Sequence, residues 1–91
     1  MNLEVRYARS FLRDLNKLDS TAYGRIYEFA FKEFIQIHHL QQLPGLQQLG
    51  SDSIFYRFTI DNYLIGIEVT GHIVKFLRVL PKPDIELGLK Q

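Results

Sequence analysis

The sequence predicts an α+β fold: a helical hairpin packed on an antiparallel sheet, with an N-terminal strand joined at the sheet's edge. Two observations predict it. Apolar residues recur at helix spacing through the first half, from Ala8 towards Leu40. They alternate at strand spacing through the second half, from Ile54 to Leu80. Helices and strands that occupy separate stretches of chain in this way are the mark of an α+β architecture.

Each element follows in order. Leu3 to Tyr7 reads as a first strand, with Leu3, Val5 and Tyr7 on one face. In the next segment Ala8, Phe11, Leu12, Leu15 and Leu18 form one apolar helix stripe. Arg9, Arg13 and Lys17 follow one another at spacing four and line a solvated face of that helix. Asp19-Ser20-Thr21 supplies a break and an N-cap for a second helix. That helix is expected to run to about Leu40, with Tyr23, Ile26, Tyr27, Ala30, Phe34 and Ile37 as its stripe. Phe29 and Phe31 widen the apolar surface. Gly24 is expected to let the two helices approach closely, against a helix-propensity cost of up to about 1 kcal/mol relative to Ala. So short a connection makes the pair antiparallel.

His38 and His39 fall at the expected end of this helix, where a protonated imidazole interacts well with the helix C-terminus. Neighbouring helical residues point about 100° apart, so the two do not converge on one ion. Neither a cysteine nor a carboxylate cluster completes a metal site, and no metal or cofactor is expected. The stretch from Gln41 to Gly50 is a loop punctuated by Pro44-Gly45, tethered by Leu43, Leu46 and Leu49.

The most informative segment runs from Phe55 to Val69. Asp61-Asn62 closes a two-residue hairpin, because Asp and Asn tolerate positive φ. Closure there pairs Ile60 with Tyr63, Phe58 with Ile65, Tyr56 with Ile67 and Ile54 with Val69, an apolar face. The other face pairs Arg57 with Gly66, Thr59 with Leu64 and Phe55 with Glu68. Thr70-Gly71 is expected to form a second tight turn before a last strand from His72 to Leu80. That closure sets Ile67 against Val74, Ile65 against Phe76, Gly66 against Lys75 and Leu64 against Leu77. Pro81-Lys82-Pro83 ends the ladder, since proline lacks the N–H. The tail from Asp84 to Gln91 is short and mixed.

A chain of 91 residues is expected to form one domain, residues 1–91, with 46% hydrophobic and 13% aromatic residues supporting a packed core. No cysteine is present, so disulfides and thiolate chemistry are excluded, which fits a reducing cytoplasm. No apolar run approaches the roughly 20 residues of a membrane span, and no membrane partner is expected. Met1-Asn2-Leu3-Glu4-Val5 lacks the basic and then apolar pattern of a signal peptide. A soluble cytoplasmic protein is expected. The net charge of +1 gives no overall cationic excess, so nucleic-acid binding would need local clustering of basic groups.

The expected registers place Arg57, Gly66 and Lys75 in one row on the face away from the helices. A glycine between two cations leaves a gap for an extended ligand. Arginine binds phosphate through a bidentate fork and lysine through a point charge, so a phosphodiester suits the gap. The other reading makes Gly66 the mark of a β-bulge and the two bases solvated surface groups. Leu64 and Leu77 share the face of Arg57, and Val79 continues it. Together with the wide apolar surface of the second helix they suggest a partner surface.

Tyr56-Arg57-Phe58-Thr59-Ile60-Asp61-Asn62-Tyr63 resembles the Tyr-Arg-Ile-Arg-x-Gly-Asp-Tyr-Arg region of RelE/ParE superfamily toxins, the poison halves of bacterial toxin–antitoxin pairs. The order of a short strand, two helices, the Leu43–Gly50 segment and a Phe76-Leu77-Arg78-Val79-Leu80 strand is similar over nearly the whole chain. The resemblance implies a RelE-like fold and an mRNA interferase that acts on ribosome-bound mRNA. A cognate antitoxin would neutralise it in a hetero-oligomer. It implies that Arg57 contacts the scissile or a neighbouring phosphate, with Lys82 as a second catalytic cation. Arg78 matches the arginine of a Phe-Val-Arg-Phe-Leu pattern in some relatives and would bind substrate; Lys75 and Gly66 as substrate-binding residues, and Leu64, Leu77 and Val79 as partner-binding ones, rest on the strand registers. Gln47 and Gln48 stand where many members carry lysines, and Thr59 and Leu64 where many carry arginines. Pro81 stands where many carry histidine and Glu86 where several carry tyrosine. These departures keep a second function open: a ParE-like gyrase poison, or a degenerate toxin that acts only by binding proteins. A general small RNA-binding domain is a third reading; the chain lacks the basic excess and the stacking motif it would need.

Overall fold

The computed structural model describes residues 3–82. Met1, Asn2, Pro83 and the tail that contains Glu86 lie outside the described residues. The strands are β1 (Glu4–Tyr7), β2 (Gln47–Gln48), β3 (Phe55–Ile60), β4 (Tyr63–Thr70) and β5 (Ile73–Pro81), and the helices are α1 (Arg9–Asn16) and α2 (Ser20–Glu28). They form one five-stranded sheet of order β1-β5-β4-β3-β2. The β3–β4–β5 meander is antiparallel, as expected; β1 joins β5 in parallel, and the short β2 is a fifth strand beyond the expected count.

The β3–β4 hairpin has the expected register throughout, from Phe55 opposite Glu68 to Ile60 opposite Tyr63. Asp61 takes the left-handed φ of 52° that closes its two-residue loop. The second hairpin differs. Its loop is Gly71-His72, with Thr70 opposite Ile73, and not Thr70-Gly71. Gly71 occupies the first loop position, where φ is 61°, the position that tight hairpin turns reserve for glycine. The slip is two residues, so the faces are preserved up to Phe76. Beyond Phe76 a bulge leaves Leu77 without a partner and shifts the register by one. Val79 then faces Ile65, and Arg78 faces Gly66.

The bulge answers a conflict in the sequence. Strict alternation from Val74 and Phe76 would turn Arg78 into the core, where an unpaired charge is costly. One extra residue turns Arg78 out and Val79 in.

The core forms between one sheet face and the helical segment. Phe11, Leu15, Ile26, Phe29 and Phe34 meet Phe58, Ile65, Ile67, Val74, Phe76 and Val79, all buried. The Phe76 ring sits at its centre, with Phe11 and Phe34 at centroid distances of 5.2 Å and 5.0 Å. Leu12 belongs to the expected α1 stripe but is exposed, while Asp14 is buried in its place.

Asp19 caps α2 by accepting from the Ala22 N–H at 2.8 Å. The second helical segment ends earlier than expected. After Glu28 it widens into a π-turn over Phe29–Glu33 and tightens into a 3₁₀ turn over Phe34–Gln36. The Tyr7 hydroxyl donates to the Ala30 carbonyl within the wide turn, at 2.7 Å, and stacks on Phe31 at 4.2 Å. Ile37 is extended, so His38 and His39 do not sit on the helix C-terminus. Their backbone N–H groups donate instead to the Gln42 side-chain oxygen. Gly24 does not serve helix packing: it is exposed, and a Cβ there would meet nothing within 4 Å.

Candidate functional site

The sheet face turned away from the helices, which no other element among the described residues covers, is ordered in cross-strand rows. One row reads Gln47, Arg57, Gly66, Arg78 across β2, β3, β4 and β5. A Cβ built on Gly66 would stop 3.9 Å from the Cβ of Arg78. The gap at Gly66 is therefore bordered by two arginines, Arg57 and Arg78. Lys75, expected in this row, stands opposite Glu68 and beside Arg6 of β1, in the next row. The turn shift and the bulge together account for the change.

Both arginines are held by the same two atoms. Arg57 donates from Nε and Nη2 to Gln47 Oε1 at 3.0 and 2.8 Å. Arg78 donates from Nε and Nη2 to the two oxygens of Asp14, at 2.6 and 3.1 Å. A guanidinium carries five N–H donors, so this side-on mode leaves Nη1 of each for another acceptor. The holders differ in charge. Gln47 is neutral and leaves the charge of Arg57 whole; Asp14 offsets that of Arg78.

Asp14 reaches Arg78 because α1 runs along the outer edge of β5. β1 covers that edge from Ile73 to Phe76. Past it, Ala8 N–H donates to the Phe76 carbonyl at 2.8 Å and the Ser10 hydroxyl to the Leu77 carbonyl at 2.6 Å. Asp14 Oδ2 then accepts the Val79 N–H at 3.1 Å. The start of α1 thus satisfies edge groups that an unpaired strand would leave open. Burial pushes the Asp14 carboxyl up, but the bonds from Arg78 and Val79 and the charges of Arg78 and Lys17 outweigh it. The carboxyl is held below its usual value. Burial also pushes the Tyr7 hydroxyl up, with Tyr27 adding to the effect, so Tyr7 remains a protonated donor at neutral pH.

The other expected site residues separate. Lys82 lies four residues past Arg78, about 13 Å along an extended chain, with its N–H donating to the Asn62 carbonyl. Leu64 stands opposite Leu80, not Leu77, and Leu80 is 42% exposed. Leu77 is the half-buried bulge residue. Val79 is buried in the core and offers no surface to a partner. No group of three or more His, Cys, Asp or Glu with metal-binding geometry occurs among the described residues. No helix among them is long and apolar enough to cross a membrane.

Sequence reasoning missed Asp14, and it marked Gln47 only as standing where the resemblance has lysines, not as the holder of Arg57. The signal for Asp14 was present: it falls between Phe11 and Leu15 at the stripe spacing, where a carboxylate needs a buried partner. Gln47 carried no such signal, because its pairing with Arg57 depends on β2.

No family model matches the sequence. The chain is 30% identical over 84 residues to Toxin RelE3 of Methanocaldococcus jannaschii, covering 91% of this chain and 94% of that protein. The chain belongs to the RelE toxin family. Solved structures of RelE toxins share its fold. The RelB–RelE antitoxin–toxin complex from Methanococcus jannaschii matches at TM-score 0.70 and 28% identity, over 91% of this chain and 96% of that one. The toxin–antitoxin complex RelBE2 from Mycobacterium tuberculosis matches at TM-score 0.70 and 21% identity, over 90% and 100%. The RelE–RelB complex from Pyrococcus horikoshii matches at TM-score 0.65 and 17% identity, over 92% and 99%. In this RelE fold the Arg57–Gly66–Arg78 row lies on the sheet face turned away from the aromatic core.

Proposed function

We propose that this RelE-family chain is the toxin of a toxin–antitoxin pair, an mRNA interferase that cleaves ribosome-bound mRNA and is neutralised by a cognate antitoxin in a hetero-oligomer. The observation that carries the proposal is the pair of arginines across Gly66 on an open sheet face. Kinship with Toxin RelE3 and the RelB complexes of the solved relatives support it.

In the cleavage proposed, the ribose 2′-oxygen attacks the adjacent phosphorus. An O–P bond forms, the bond to the 5′-oxygen breaks, the 2′-hydroxyl proton leaves to solvent, and the departing 5′-oxygen takes a proton from solvent. Negative charge accumulates on the phosphoryl oxygens between Arg57 and Arg78. Preorganised donors act most strongly where charge develops. Arg57, with its charge whole, is the principal phosphate contact, and the remaining N–H groups of Arg78 close the other side. Lys75 and Lys82 act at longer range on the flanking backbone. Positioned acid–base groups typically contribute about 10²–10⁴-fold; a site that runs on electrostatics forgoes that factor.

The second reading is a toxin that acts by binding proteins alone, as a gyrase poison or as a degenerate relative. One observation favours it: the charge of Arg78 is already paired with Asp14. Induced expression with and without the neighbouring partner gene, followed by mapping of RNA 5′ ends, separates the two. The interferase reading expects new ends inside translated frames that vanish when the partner is co-expressed. Growth arrest with intact mRNA and broken DNA would select the gyrase reading.

A further inference from the structure

We propose that Asp14 is a positioning residue for the phosphate site: it fixes the Arg78 guanidinium so that its free edge faces Arg57 across Gly66. This inference rests on the interferase reading for its kinetic consequences, and on geometry alone for the positioning itself.

Three observations carry it. Asp14 is the one buried charged side chain among the described residues, at 6% exposure, and its carboxylate accepts from β5 alone among them. It binds the Arg78 side chain and the backbone N–H of the next residue at once. The guanidinium is thereby tied to the strand that carries it, next to the bulge that turned it outward. Finally, Arg78 is held through Nε and Nη2 while its side chain remains half exposed. Among the described residues no other acceptor takes its remaining N–H groups.

The alternative is that Asp14 only seals the edge of β5. The two roles separate chemically. Edge sealing needs an acceptor for the Val79 N–H, which an asparagine oxygen supplies. Positioning needs two carboxylate oxygens that take Nε and Nη2 together. Oδ2 accepts both the Val79 N–H and the Arg78 Nε–H, so Asp14→Asn should keep the strand edge and the Nε bond, while its amide NH₂ group takes away the acceptor of Nη2 and opens the fork.

The test uses the full chain, prepared with its antitoxin and then freed from it. In wild type the Arg78 Nη2 protons, held on Asp14 Oδ1, should give a distinct, slowly exchanging NMR resonance. In Asp14→Asn that resonance should move to the free-arginine position, while the β5 amide signals stay in place. Cleavage is then followed in single turnover on ribosomes programmed with a short mRNA. The chemical step should fall about 10²-fold, the loss expected for a misplaced catalytic group, with half-saturation little changed. Asp14→Glu should recover part of the rate. Arg78→Lys, which keeps the charge and the Val79 bond but loses the fork, should show the same loss of rate. If Asp14→Asn does not fold, Asp14→Glu decides the matter, made alone and in Arg78→Lys: its cost in rate should vanish once Arg78 is replaced, and an equal cost in both backgrounds would overturn the proposal.

An Arg78 Nη2 resonance unchanged in Asp14→Asn would overturn the proposal, as would wild-type rates in folded Asp14→Asn or in Arg78→Lys. A wild-type chain that leaves programmed mRNA intact would sink the interferase reading instead. The resonance would then still decide whether Asp14 positions Arg78.

Discussion

Gly66 lies opposite Arg78 across the β4–β5 ladder, and the space its missing side chain leaves ends 3.9 Å from the Arg78 Cβ. On its other side it pairs with Arg57. A single small residue on β4 thus separates two guanidinium side chains on the strands that flank it.

Valine at Gly66 should fold, because the new Cβ meets only an ordinary van der Waals contact and valine suits a strand. The branched side chain should fill the gap and abolish cleavage of programmed mRNA. A folded Gly66→Val with the wild-type rate would remove the row from the site.

Arg57→Ala should relieve growth inhibition and lower single-turnover cleavage by about 10²-fold or more, with Tm nearly unchanged because its side-chain bonds are exposed. Lys75→Ala should cost much less, since Lys75 stands opposite Glu68. Measuring toxicity and Tm on both variants tests the ranking; equal losses would return Lys75 to the site.

Acid should loosen the α1–β5 contact. Asp14 has a lowered carboxyl in the folded chain, so its contribution is complete above the unfolded value of about 3.9. It is lost as pH falls through the lower folded value. Denaturant midpoints recorded below pH 4 should therefore fall more steeply for wild type than for Asp14→Asn. Parallel curves would mean that Arg78, Lys17 and the Val79 N–H leave the carboxyl unshifted.

Tyr7→Phe should destabilise by about 1 kcal/mol through loss of the bond to the Ala30 carbonyl. In a domain of this size that is a Tm drop of about 4–8 °C. The ring stacking on Phe31 survives the change, so a much larger drop would show that the π-turn itself depends on the hydroxyl.

Leu64 and Leu80 stand side by side on the open face. Leu64→Glu with Leu80→Glu should weaken binding of the cognate antitoxin by calorimetry far more than Arg9→Glu or Arg13→Glu. The solvent-facing residues of α1 are the comparison because they lie off the sheet face. Equal losses would place the antitoxin elsewhere.

The sequence by itself determined the β3–β4 hairpin, since Asp61-Asn62 closes it and alternation admits one register. It also determined the N-cap at Asp19, the antiparallel meander and the pairing of Arg57 with Gly66. These are local: a turn of known length fixes every pair that follows it. The extent of the second helical segment was not local. Its last turns widen and tighten where Tyr7, a residue from the far edge of the sheet, meets Ala30.

The β5 register needed the tertiary structure. The sequence reading closed the turn at Thr70-Gly71; the structure closes it at Gly71-His72, two residues apart in register and equal in facing. The bulge at Leu77 then depended on Arg78 having somewhere to go, and Asp14 on α1 provides it. A charge in an alternating strand and a carboxylate in an apolar helix stripe were both visible in the chain. That they answer each other, 64 residues apart, was decided only when α1 packed along the edge of β5, because no local rule couples positions so distant.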